Sequence, residues 1–128
     1  MHKYNGFVYV LLACWLAVAG CKTTMLSPEG QTLATYSLGN LRAVEPKNIS
    51  VVYAAAVKAV ETLHLSVTQK TQDALSGKII ARDSQDRKVS ITLAAVSESS
   101  TKVSIRAGAL GDESKSRLIY NQIRANLQ

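Results

Sequence analysis

The sequence predicts an α+β domain: an antiparallel sheet of about five strands with two helices packed on one face, in the order β-α-β-β-β-β-α. Three observations carry this expectation. Ile49, Val52, Tyr53, Ala56, Val57, Val60 and Leu63 recur at spacings of three and four, the period of a helix with one apolar face. Residues 88–94 and 101–107 alternate apolar and polar, as strands do when one face is covered and the other is wet. A second helical stripe of Leu118, Ile119, Gln122, Ile123 and Asn126, with Leu127 beside it, closes the chain and needs the same cover.

The chain opens on a different pattern. Residues 2–5 are polar and include Lys3, residues 7–19 are an apolar run, and the chain turns polar again at Lys22-Thr23-Thr24. This is the three-part layout of a secretory signal. Thirteen apolar residues fall short of the roughly 20 that span a bilayer comfortably. An ordinary cleaved signal, an uncleaved anchor or a buried segment would each leave Cys21 at the cut by coincidence. Val18-Ala19-Gly20-Cys21 resembles the lipobox of bacterial lipoproteins. That resemblance implies that the Cys21 thiol receives a diacylglyceryl group, that the chain is cut just before it, and that the new N-terminus is acylated in turn. The residue after Cys21 is Lys22 and not aspartate, which by the same resemblance favours the outer membrane, facing the periplasm. The expected organisation is a signal peptide over 1–20, the lipidated cysteine with a flexible tether over 21–38, and a small α+β domain over 39–128.

Within the tether, Ser27-Pro28-Glu29-Gly30 is a turn-like cluster, and Leu33, Ala34, Tyr36 and Leu38 fit either a short strand or a segment lying against the domain. Residues 40–44 alternate loosely as a first strand, which Pro46 closes. Asn48 is a good helix cap, because its side-chain oxygen can accept an otherwise orphaned amide hydrogen. The first helix is expected over 49–64. Strands follow over 65–70, 77–82, 88–94 and 101–107, with turns at 71–74, 83–86 and 97–100. Gly108 and Gly111 break the last strand, and Asp112 can cap the final helix, where a carboxylate suits the positive helix start.

Composition narrows the function classes. Fifteen Lys and Arg against nine Asp and Glu give +6, and loss of Lys3 with the signal leaves +5 on 108 residues. This charge suits an anionic surface such as lipid or cell-wall polymer, and it also suits simple solubility. Aromatic residues are few and show no stacking pattern, so no nucleic-acid partner is expected. Cys14 leaves with the signal and Cys21 is the lipid site, so the mature domain has no thiol nucleophile and no disulfide. His64 is its only histidine. No catalytic residue, cofactor or metal site is therefore expected.

Six stretches stand together: the lipobox ending at Cys21; Gly39-Asn40-Leu41; Val52-Tyr53-Ala54-Ala55 with Ala59-Val60-Glu61; Gly77-Lys78-Ile79 with Ala81; Val89-Ser90-Ile91; and 101–106 leading to Gly108 and Gly111-Asp112-Glu113. In these the chain resembles a family of small uncharacterised bacterial lipoproteins, domain of unknown function 3568. The resemblance spans nearly the whole chain and implies an anchor and a fold. It supplies no catalytic residues.

Individual polar residues read mainly as structure. His64 ends the first helix, where a cation meets its negative end. Asp73, Asp83 and Asp86 fall in turns. The glycine-rich bend at 108–111 lacks the lysine-serine ending of a phosphate loop, and Asp112 and Glu113 would repel an anion. The serines at 97, 99, 100, 114 and 116 have no histidine base near them in sequence. The interaction candidates are Arg82, Arg87, Lys88, Lys102 and Arg106, and a hairpin of the last two long strands would place Lys88, Lys102 and Arg106 on one wet face. Two classes follow. The first is a non-enzymatic envelope lipoprotein held by acylated Cys21, binding an envelope protein, an anionic cell-wall partner or a second copy of itself. The alternative is an enzyme acting on an envelope substrate through a site assembled only in three dimensions.

Overall fold

The computed structural model describes residues 34–128. The signal peptide, Cys21 and most of the tether expected from the sequence lie outside the described residues. The elements in order are β1 (Thr35–Ser37), β2 (Asn40–Glu45), α1 (Ile49–Thr62), β3 (Ser66–Gln72), β4 (Ser76–Arg82), β5 (Lys88–Ser97), β6 (Ser100–Ala107) and α2 (Glu113–Asn126). The strands form one antiparallel sheet in the order β1-β2-β6-β5-β4-β3. The class is α+β, as expected, with six strands where about five were expected. The additional strand is β1, which reverses through Leu38-Gly39 and pairs Thr35 with Arg42. The sheet thus begins ahead of the Gly39 boundary.

Helix α1 starts where Asn48 places it. The Asn48 Oδ1 accepts from the Ser50 amide at 2.8 Å, and its Nδ2 donates to the Glu98 carbonyl at 3.0 Å, tying the helix start to the β5–β6 turn. The helix stops at Thr62, two residues short of the expected end at 64, because His64 takes a left-handed φ of 56°. Its buried face is Ile49, Val52, Ala55, Ala56, Ala59 and Val60. The small residues let the helix approach the inner sheet face, where Leu41, Ile79, Ile91, Leu93, Val103 and Ile105 are fully buried. Burying each large aliphatic side chain contributes roughly 1.5–3 kcal/mol.

Helix α2 is capped by Asp112, whose Oδ1 accepts from the Lys115 amide at 3.0 Å. Its buried face differs from the expected one. Ser116, Ile119, Tyr120 and Ile123 point inward, whereas Leu118 is 55% exposed. Turning the helix by about 100° per residue cannot bury Leu118 together with Tyr120 and Ile123, and the larger ring wins the core position. Strand β3 also departs from expectation. All seven of its residues are exposed, because this outermost strand lies beyond the cover of the helices. A bulge between Val67 and Gln69 further breaks its alternation.

At one end of the sheet two turns meet. Leu38 and Gly39, with φ of 51° and 79°, make the tight reversal of the β1–β2 hairpin. Gly111, with φ of 81°, comes so close that a Cβ there would lie 2.4 Å from Gly39 Cα. Gly108 also has a positive φ, 76°, but a Cβ there would meet nothing within 4 Å. Gly111→Ala is therefore expected to cost about 2–4 kcal/mol, from backbone strain and overpacking together. Gly108→Ala should cost about 1–2 kcal/mol from strain alone. Urea unfolding of the two variants checks this, and equal midpoints would contradict the close turn contact.

Candidate functional site

The outer sheet face follows from strand register. Paired residues of antiparallel strands share a face. Arg42 lies opposite Ser104, Lys102 opposite Val44 and Ala94, and Arg106 opposite Ser90. Lys88 lies opposite Arg82, and Lys78 opposite Thr92. The inward partners in between are the core residues, so these positions all point away from the helices. Six cations thus share the face: Arg42, Lys78, Arg82, Lys88, Lys102 and Arg106. None of the described strand residues on that face is a carboxylate.

The sequence-derived residues Lys88, Lys102 and Arg106 do fall on one face through the β5–β6 hairpin. Arg82 joins them across β4. Arg42 and Lys78 are not among the sequence-derived candidates; each has the correct parity in its strand, and the strand partners place them on this face. Arg87 does not join the face. Its Nε donates to Asp83 Oδ2 at 2.9 Å and its Nη1 lies 3.7 Å from Asp112, so it braces the loop instead.

Among the described residues, Arg42, Lys78, Lys88, Lys102 and Arg106 form no ion pair. Arg82 is engaged by Asp86, donating to its carbonyl at 2.9 Å. The Arg106 guanidinium donates to the Leu38 carbonyl at 3.3 Å and to the Ala109 carbonyl, so it holds the two turns together while keeping its charge. Between Arg82, Asp86, Arg87, Lys88, Ser90 and Arg106 lies an open hollow of about 540 Å³.

The carboxylates most protected from water serve the frame. Asp83, expected in a wet turn, has a side chain only 2% exposed. It accepts from Lys115 Nζ at 2.6 Å, from the Arg87 and Gln85 amides at 2.9 Å, and from Arg87 Nε. The Lys115 ammonium, then the Arg87 amide, hold its carboxyl far below the usual aspartate range. A carboxylate so held is no proton donor near neutrality. Glu45 is buried on the inner face, where it accepts from the Tyr120 hydroxyl, with Arg124 Nε 3.8 Å away. Burial, then the hydrogen bond to Glu45, push the Tyr120 phenol well above its ordinary value. His64 is exposed at the end of α1, beside a hollow lined by Leu63, Leu65, Asp83 and Lys115. Among the described residues, no group of three or more His, Cys, Asp or Glu side chains is placed to hold a metal ion.

Fold and face together define a small α+β domain that covers one side of its sheet with helices and offers the other, cationic side to solvent. The chain belongs to the family described as protein of unknown function DUF3568, whose profile matches residues 7–126. No curated protein matches it.

The Asp83 contacts predict a pH dependence. Its folded-state pKa is depressed, so its contribution is fully present above the unfolded value of about 3.9 and is lost as pH falls below that toward the folded value. Urea midpoints should therefore fall more steeply into acid for the wild type than for Asp83→Asn. Parallel acid limbs would remove Asp83 from this role.

Proposed function

We propose that the chain is a lipid-anchored bacterial envelope protein whose folded domain acts by binding and not by catalysis, through the outer face of its sheet. The observation that carries the binding part is the set of six cations on that face, five without an ion-pair partner among the described residues. Charges held on a sheet and left unneutralised attract an anionic partner and raise its local concentration. The buried carboxylates, by contrast, are committed to hydrogen bonds that hold α2. The anchor part is carried by the apolar run over 7–19 ending at Val18-Ala19-Gly20-Cys21. Acylated Cys21 would hold the domain at the outer membrane, facing the periplasm, with residues 22–34 as the link to β1.

Among the described residues no helix is long and apolar enough to cross a membrane, and both helices are 14 residues long. Attachment in this reading rests on the lipid on Cys21. Cys21→Ser is expected to abolish lipid labelling and to release the chain from membranes under a high-salt wash, while the folded domain keeps its urea midpoint. Unchanged labelling would remove Cys21 from this role. Crosslinking in cells then identifies what the sheet face touches: recovered wall polymer, an envelope protein or only a second copy would each name a different partner.

A further inference from the structure

The two turns gathered by Arg106 carry the most exposed leucines of the described residues. Leu38 is 87% exposed and Leu110 is 93% exposed. Leu38 stands at the tip of a two-residue hairpin in a left-handed conformation, where glycine or asparagine is the low-cost choice. Neither leucine contributes to the core, and both hold apolar surface in water. Arg106 sets their place: its guanidinium donates to Leu38 O and Ala109 O, so the leucine-bearing turns flank an outer-face cation. Lys88 and Arg82 lie across the adjoining hollow. One rim of the face thus combines two apolar tips with sheet cations, and the carboxylates nearby are each paired: Asp86 with Arg82, and Asp112 and Glu113 beside Leu110 with Arg87 and Arg117.

We propose that the outer sheet face docks on an anionic phospholipid surface, with Leu38 and Leu110 entering the boundary between headgroups and acyl chains and the sheet cations meeting the lipid phosphates. Interfacial binding of this kind draws on both components, buried apolar area and attraction to anionic lipid. A soluble polyanion would use the cations and leave the leucines without a role. A single-stranded nucleic acid would also lack a stacking platform, because the described aromatic residues are Tyr36, Tyr53 and Tyr120, and all three pack in or against the core beneath the helices. The docking deepens the anchored-binding reading and rests on it for its membrane. From Cys21 to Thr35 the chain advances fourteen positions. At about 3.3–3.6 Å per residue that reaches roughly 46–50 Å, enough for the domain to turn this face onto the membrane that holds its lipid.

The test uses the full-length chain purified from membranes and carrying Leu110→Trp. Trp15 is the only tryptophan in the sequence and lies within the expected signal, so the introduced indole reports on the tip. It is mixed with vesicles of two parts phosphatidylcholine to one part phosphatidylglycerol, and separately with phosphatidylcholine alone. The expected result on the anionic vesicles is a blue-shifted emission, quenched by brominated acyl chains and reversed by salt. Adding Lys88→Gln or Lys102→Gln should weaken the docking about fivefold per cation removed, and adding Leu38→Asp should remove the quenching. A water-exposed indole on the anionic vesicles overturns the proposal. So does tight binding of dextran sulfate by a chain whose indole stays exposed on vesicles, which would assign the face to a soluble polyanion. Flotation separates the two readings. A chain that floats with phosphatidylcholine yet keeps an exposed indole on anionic vesicles retains the anchor and overturns the docking. A chain that floats only with anionic vesicles, indole buried, supports the docking and overturns the anchor.

Discussion

The apolar contact between two short helices and one face of a six-stranded sheet sets the limits on everything else in this molecule. Each helix is about 10–12 Å across with its side chains, and six strands at about 4.8 Å spacing make a sheet roughly 24 Å wide. The two helices pack on the inner face over the strands from β2 to β4. What remains is an outermost strand, β3, with no cover, and a whole second face in contact with water. The core residues occupy alternate positions of every central strand. The intervening positions were then free to carry Lys78, Lys88, Lys102 and the three arginines without cost to packing.

Helix α2 would be poorly held by its apolar side chains alone, since only Ile119, Tyr120 and Ile123 of its large residues are buried. Polar clasps compensate at three levels along it. Lys115 reaches Asp83 in the β4–β5 turn, Tyr120 and Arg124 meet Glu45 on β2, and Asn126 Nδ2 donates to the Ala55 carbonyl of α1 at 3.0 Å. A buried charge missing one partner is costly, so these groups serve as directional ties that tell the helix where to lie. They also explain why carboxylates sheltered from water need not mark an active site. Asp83 accepts from its own turn and from Lys115 of α2, and Glu45 accepts from Tyr120 of α2.

Elements governed by local rules were legible from the sequence. The α1 stripe, the caps at Asn48 and Asp112, and the alternation of β5 and β6 each depend on residues within a few positions of one another. Elements that depend on distant neighbours were not. Thr35–Ser37 is too short to show a period, so the sequence leaves a short strand and a packed segment both open there, and the edge of β2 decides for the strand. β3 alternates in its first residues, yet its position at the sheet margin leaves all seven exposed. Leu118 and Tyr120 compete for one helix face, and the partner Glu45, 75 positions from Tyr120, decides between them. The cationic face was half legible for the same reason. Lys88, Lys102 and Arg106 sit on sequence-adjacent strands, whereas Arg42 and Lys78 join them only through register.

The sheet order has a kinetic consequence. Strands β3 to β6 are a meander of neighbours, each pairing with the next through a short turn. The β1–β2 hairpin instead pairs with β6, setting Leu41 against Ile105 across 64 positions. Closing the long loop that contains α1 and three strands demands more chain entropy than any hairpin. Loop entropy thus favours early assembly of the meander and later docking of the N-terminal hairpin. Of the described strands the one synthesised first is then favoured to pair among the last, and it is the one joined to the segment that leads back to Cys21.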